Sequence, residues 1–305
     1  MKKITGSFQS ASGLCRTRFY IYTPEKPKAA VMYSHGMCEY IERYEEFAKY
    51  LCDNDIAFCG CDNLGHGASV AAEDMLGYFG HEKGPIYMVR DLRNMRRIME
   101  QQLPDIPYFL IGHSMGSFLA RIFLSRYDFK WNGAIFTGSA GAITGAPALY
   151  QMIEEIIRRR GEHYRHLVGT KAVFGIFNLR TANYRTPYDW LSRSDDNVDR
   201  FMADPKCHFI FTLAGYRDML WLLSCCNTEA CIENTPRDVP ILFLSGGMDP
   251  VGEYGAGVRR ACEAYRKHGC DAKLRIYREA RHELLFELNS NEVRQDILKY
   301  FINRI

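Results

Sequence analysis

Short apolar runs alternate with longer stretches of helical spacing along most of this chain. Ala29-Ala30-Val31-Met32-Tyr33-Ser34 is nearly continuous in apolar or neutral residues, and Ile56 to Cys61, Tyr108 to Ile111, Gly133 to Thr137, Ile241 to Leu244 and Lys273 to Tyr277 are runs of similar length. Such runs suit strands buried on both faces, whereas the alternation over 15–23 suits a half-buried strand. Helical spacing appears around Tyr44 to Cys52, over 87–102 (Ile86, Val89, Leu92, Met95, Ile98), from Ser117 to Leu124, and at the end from Val293 to Ile302. Strands separated by helices predict an α/β fold, a mostly parallel central sheet with helices on both faces. Between about Gly145 and Pro236 the strand rhythm stops and helical patterns take over, as in Leu149, Met152, Ile153, Ile156 and Ile157. The expected organisation is one core, 1–144 and 237–305, carrying a helical insertion, 145–236.

Composition narrows the class. The chain has 305 residues, 47% hydrophobic and 25% charged, with a net charge of only +3, so a nucleic-acid partner is not expected. Lys2 and Lys3 are not followed by an apolar h-region, and no run approaches the ~18 apolar residues of a membrane span. Eleven cysteines without an evident export signal read as free thiols in a reducing, cytoplasmic setting. Cys59, Cys61, Cys225 and Cys226 lie in apolar segments without metal-ligand spacing, so no metal site is expected.

The chemistry centres on Gly112-His113-Ser114-Met115-Gly116. A G-x-S-x-G between an apolar strand and a helix is the pattern of a nucleophile elbow, a turn that lifts the serine hydroxyl above the sheet edge and aims the first helical N–H groups at the same point. An activated serine needs a base and an acid to orient it, both on loops at the carboxyl ends of strands. The strand 241–244 runs into Asp249, and 273–277 runs into His282; the order Ser114, Asp249, His282 is the one this architecture uses. Taken singly, Asp249 before Pro250 is an ordinary turn residue and His282 an ordinary cap. An oxyanion hole is also required: Met115 N–H follows the nucleophile, and Met37 N–H follows the strand 29–34, where Gly36 allows close backbone approach to substrate.

His35-Gly36-Met37-Cys38-Glu39-Tyr40 with Arg43-Tyr44, then Asp62-Asn63-Leu64-Gly65-His66-Gly67, the elbow, and His282-Glu283-Leu284-Leu285 together resemble the α/β-hydrolase superfamily, on the monoacylglycerol lipase and lysophospholipase branch filed with serine aminopeptidase-like hydrolases. The resemblance runs from about residue 28 to the C-terminus and weakens across the insertion. It implies an esterase with a mobile cap over an acyl pocket, acting on monoacylglycerol, lysophospholipid or related acyl esters with no cofactor. It carries over Ser114, Asp249, His282, Met37 and Met115, and makes Asp62, His66 and His113 braces. Cys38, Tyr40 and Ser117 depart from the usual Gly, His and Gly; Cys38 therefore bears on substrate preference.

Phe174, Phe177, Trp190, Phe209, Phe211, Tyr216 and Trp221 could line the acyl pocket or simply pack the cap onto the core. Arg158-Arg159-Arg160 with Arg165 and Lys171 either face an anionic headgroup or membrane surface or form a solvated helix face. Two other functions stay open. A proline iminopeptidase-type enzyme would need cap carboxylates such as Glu154, Glu155, Asp189, Asp195 or Asp196 to hold an α-ammonium, and a hydrolase-fold binding protein would hold ligand without turnover.

Overall fold

The computed structural model describes residues 1–166, 176–181 and 183–305; Lys171 and Phe174 lie outside the described residues. An eight-stranded sheet runs β1 (Lys2–Gln9), β2 (Arg16–Thr23), β4 (Ile56–Cys61), β3 (Ala29–Ser34), β5 (Tyr108–His113), β6 (Gly133–Thr137), β7 (Ile241–Gly246), β8 (Ala272–Tyr277) in spatial order. From β4 to β8 every pairing is parallel, while β1 and β2 form an antiparallel ribbon at one edge. The strand β1 has no counterpart in the apolar pattern. Lys2, Lys3, Thr5, Gly6 and Ser7 leave it largely exposed, and it pairs on one side only, with β2. Such an edge strand needs no buried alternation.

The inner strands are buried on both faces, and their residues divide with period two. Ala30 and Met32 of β3 and Leu110 of β5 join a core with Leu92 and Met95 of α2 (Gly84–Gln102), Leu119 and Phe123 of α3 (Met115–Arg126) and Tyr265 of the helix Ala256–Lys267. Val31, Tyr33, Phe109 and Ile111 point the other way, onto Phe47 and Leu51 of α1 (Glu45–Cys52) and Ile297 and Phe301 of the C-terminal helix Ser290–Ile302. Full burial of each such side chain contributes about 1.5–3 kcal/mol, which makes the register hard to slip.

That register lines up the strand ends. Ser34 stands opposite Gly112, His113 opposite Thr137, Thr137 opposite Leu244, and Gly246 opposite Tyr277. The chain passes from β3 outward to β4 and then back across to β5, so the sheet order reverses between β3 and β5. The crevice at such a reversal, outside the carboxyl ends, is where open α/β sheets bind ligands.

Between β6 and β7 the described residues contain helices and no strand. Helix α4 (Ala146–Arg160) packs on the helix Leu213–Cys225 around Ile153, Leu213 and Leu220. The helix Leu213–Cys225 also lies against α2 and α3, and Glu229–Glu233 lies against α3 and Ala256–Lys267. Among the described residues, no helix is long and apolar enough to cross a membrane.

Candidate active site

Ser114 has φ 52° and ψ −123°, in the half of backbone space that favours glycine. Holding a side-chain-bearing residue there costs about 1–3 kcal/mol. The conformation is pinned by the Ser114 N–H, which donates to Thr137 O at 2.9 Å, and by Ser114 O, which accepts from Ser117 N–H at 2.8 Å and from the Ser117 hydroxyl at 2.6 Å. Ser117, a departure from the family pattern, thus braces the turn. The two motif glycines are needed for close approach, not for positive φ. A methyl on Gly112 would lie 2.5 Å from Gly116 O, and one on Gly116 would lie 2.1 Å from Ser34 O.

Asp249 and His282 meet although 33 residues apart: His282 Nδ1 and Asp249 Oδ1 are 3.0 Å apart, and both side chains are buried. The loops that carry them are stitched together, Gly247 N–H to Tyr277 O at 2.8 Å and Met248 N–H to Ala280 O at 2.9 Å. Gly246 closes the gap, since a methyl there would lie 2.2 Å from both Ala280 O and Arg281 O. Val251 N–H adds a second donor to Asp249 Oδ1 at 2.9 Å. Burial alone would lower the His282 pKa, but the Asp249 carboxylate outweighs it and holds the imidazole above the ordinary histidine value. On the other side the His113 ring lies 4.9 Å from that of His282, with Nδ1 3.0 Å from Thr137 Oγ1. Burial first, and then the neighbouring His282, push His113 down to about 3, so it stays neutral. Gly138 leaves room for the pair, with φ 55° and a methyl position 2.9 Å from His282 Cε1 and 3.0 Å from His113 Cε1.

Gly36 sits against Ser114: a methyl on it would lie 3.0 Å from Ser114 Cβ. The loop that holds it is fixed by His35, whose Nδ1 donates to Gly36 O at 2.9 Å while Nε2 accepts the Asn63 N–H at 2.8 Å. Burial holds His35 well below the ordinary histidine range, consistent with that neutral tautomer. Met115 is the first residue of α3, so its N–H has no intrahelical acceptor; the Met37 N–H lies one residue beyond Gly36, on the same loop. Cys38 adopts φ 57°, and its buried thiol donates to Phe209 O at 3.0 Å. Asp62 accepts Ile41 N–H at 2.9 Å and Ala68 N–H at 2.8 Å, and the buried His66 ring lies among Phe79, Phe209 and Phe211.

A buried ionic cluster beneath this loop escaped the reading of single residues. Glu39 accepts the Gly36 N–H on Oε1, and on Oε2 the Tyr44 hydroxyl at 2.7 Å and Arg43 Nη1 at 2.9 Å. The same guanidinium reaches Glu283, the residue after His282, at 2.8 Å, and Asn197 Nδ2 donates to Glu283 Oε2 at 2.7 Å. Burial raises Glu39 to about 7 even against Arg43, whereas Arg43 and Asn197 overcome burial and hold Glu283 below the usual carboxylate range. Glu39, Arg43, Tyr44 and Glu283 all stand in the motifs that carry the resemblance, but only the i, i+4 spacing of Glu39 and Arg43 suggests a pairing among them.

The other candidates separate. Trp190 lies over His282, ring centres 5.1 Å apart, with Phe177 at its edge, 4.8 Å away; Phe211 stacks with Phe209 and touches Tyr216. Arg158 and Arg159 are exposed and pair with Glu155, whereas Arg165 donates to the carbonyls of Asp74, Leu76 and Ile210. Asp195 pairs with Arg185, Asp196 with Arg200, Glu154 lies 3.6 Å from Arg217, and the Asp189 carboxylate accepts the N–H groups of Arg185 and Thr186.

The model of a family described as serine aminopeptidase, S33, matches residues 25–289. The monoglyceride lipase of Mus musculus is 26% identical over 284 residues, 92% of this chain and 84% of that one. The monoacylglycerol lipase of Mycolicibacterium smegmatis is 24% identical over 304 residues, 98% of this chain and 97% of that one. Among solved structures, a thermostable carboxyl esterase from Bacillus coagulans in complex with glycerol superposes with a TM-score of 0.92 at 28% identity, covering 100% of this chain and 99% of that one.

Proposed function

We propose that this chain, which belongs to the serine aminopeptidase S33 family of α/β-hydrolases, is a serine hydrolase that cleaves carboxylic esters of the monoacylglycerol type through an acyl-enzyme. The observation that carries the mechanism is the 3.0 Å contact between His282 Nδ1 and Asp249 Oδ1 at the strand ends where Ser114 holds its strained turn. With Nδ1–H donated to Asp249, Nε2 is the basic nitrogen. It takes the Ser114 proton as the oxygen attacks the ester carbonyl, and the imidazolium is stabilised by Asp249. Met37 and Met115 N–H groups receive the oxyanion, a role in which one donor is worth about 3–4 kcal/mol. His282 then protonates the leaving alcohol and, after water enters, returns the acyl-enzyme to free serine and acid.

The segment 145–236 serves as a cap over this centre. In support, Trp190 rests on His282, Phe209 O takes the Cys38 thiol, Asn197 binds Glu283, and the Tyr40 hydroxyl donates to Asp204 at 2.6 Å. Lipid or acyl-ester substrates fit the monoglyceride lipases this chain resembles. An aminopeptidase reading is less well supported, because the cap carboxylates that could hold an α-ammonium are paired with arginines or backbone N–H groups. The test compares a medium-chain monoglyceride with an amino-acid anilide. Hydrolysis of the glyceride at least about a hundredfold faster is the expected result; the reverse preference would reinstate the peptidase.

A further inference from the structure

The base is held from two sides, and only one of them belongs to the sheet. His113 from the end of β5 covers one side of the His282 ring, at 4.9 Å between centres, and Trp190 covers another at 5.1 Å, tilted by 46°. The Trp190 backbone is fastened to the loop that carries His282. On one side of the histidine, Arg281 Nη1 donates to Asp189 O at 2.6 Å and Ser192 O at 2.9 Å. On the other, Glu283 N–H donates to Leu191 O at 2.7 Å and the Ser192 hydroxyl donates to Phe286 O at 3.0 Å. Glu287 completes the seam. It accepts Arg281 N–H at 2.8 Å and Arg193 N–H at 3.0 Å on one oxygen, and Arg193 Nε at 2.9 Å on the other. Residues 189–193 therefore form a strap fixed to the histidine loop on both flanks of His282.

We infer that Trp190 is a positioning residue for His282: the strap presses its indole against the imidazole, keeps the ring aligned, and favours the protonated form that appears in the transition state. The inference rests on His282 being the general base. The physical basis is the electron-rich indole ring: its centre lies 5.1 Å from that of the imidazole, within the roughly 6 Å over which an aromatic ring attracts a desolvated cation. Other groups face the imidazole from every element around it: Asp249 from the β7 loop, neutral His113 from β5, and the Glu39–Arg43–Glu283 cluster from the β3 loop and from its own. All of these are unchanged by a substitution at 190. Exchanging the indole for an aliphatic side chain removes the π face but keeps the site apolar, and phenylalanine restores a smaller face.

The experiment compares wild type, Trp190→Phe and Trp190→Leu on a short p-nitrophenyl ester, with kcat, KM and the pH profile of kcat/KM. Trp190→Leu is expected to move the acid limb down by about one pH unit and to lower kcat about tenfold, with KM within about twofold, the equivalent of ~1.4 kcal/mol. Trp190→Phe is expected to stay within about threefold in kcat and to keep most of the limb position. A Leu variant whose limb and kcat match those of the Phe variant, or whose loss lies in KM alone, overturns the inference. NMR titration of the His282 Cε1–H, assigned by its absence in His282→Gln, reads the same midpoint without turnover. An unmoved NMR midpoint sinks this inference and leaves the hydrolase reading standing; a moved midpoint in a protein without esterase activity does the opposite. Should Trp190→Leu not fold, wild-type fluorescence decides, because an imidazolium against an indole quenches its emission. Quenching that follows the acid limb and disappears in His282→Gln supports the contact, and emission that is flat with pH overturns it.

Discussion

Ser114 is held in a backbone state that an isolated residue would avoid, and His282 has its proton affinity raised by a neighbour. Burial would keep His282 neutral, and Asp249 reverses that balance. The acid limb of activity should therefore have its midpoint above 6.5, the ordinary value for histidine, with turnover rising as His282 loses its proton. Asp249→Asn removes the main group that opposes burial and leaves the tautomer unfixed, so the limb moves down and kcat falls on the order of 10³–10⁴-fold; steady-state profiles of the two proteins check both statements. Stability runs with the opposite sign. Because the folded pKa is raised, the His282–Asp249 contribution is full below the unfolded histidine value and is lost as pH climbs through the folded one. The most stable protonation state is thus not the reactive one. Gly36→Ala is a second residue-level test. Its methyl would meet Glu39 Oε1 at 2.7 Å and Ser114 Cβ at 3.0 Å, so we expect kcat to fall by about 10–100-fold with the fold retained, read from kinetics and circular dichroism together. The three catalytic candidates were legible in the sequence because each follows its own apolar strand. The positive φ at Ser114 was not legible, because a G-x-S-x-G pattern does not say which of its residues takes the strained conformation.

At the scale of elements, the inner strands announced themselves through continuous apolar runs, and the edge strand β1 did not, since Lys2–Gln9 buries little on either face. The convergence of Glu39, Arg43, Tyr44, Glu283 and Asn197 was not legible, although four of them stand in the quoted motifs, and for a different reason. Its members come from the β3 loop, the short 3-10 helix Ile41–Tyr44, the histidine loop and the helix Asp195–Ala203, and charged letters in a sequence default to solvent. Arg43 neutralises two buried carboxylates at once. Arg43→Met should therefore destabilise the protein by about 3–5 kcal/mol, the typical cost of leaving buried charge unpaired. Urea unfolding measures it, and a loss under ~1 kcal/mol would mean that the cluster relaxes or takes up water.

For the whole molecule, the α/β-hydrolase architecture was legible from the order of strands and helices, and the placement of the 145–236 helices was not. Among their contacts with the core are those of Trp190, Asn197, Asp204 and Phe209, which have no periodicity linking them to His282, Glu283, Tyr40 or Cys38. A surface cleft of about 770 Å³ lined by Met1, Thr23, Pro27, Leu103 and Ile106 lies at the amino ends of the strands, at the opposite end of the sheet from Ser114. All eleven cysteines are free and only Cys225 is part-exposed. A thiol reagent should accordingly modify about one cysteine in the native protein and all of them after unfolding, and a reductant should leave the melting midpoint unchanged. The claim on which the rest depends is that the Ser114 oxygen is the nucleophile. Reaction with a fluorophosphonate followed by peptide mass mapping tests it most directly. We predict a single covalent adduct on Ser114, formed more slowly as pH falls and absent, together with ester turnover, in Ser114→Ala; an adduct on another residue, or hydrolysis that persists in Ser114→Ala, would contradict the account.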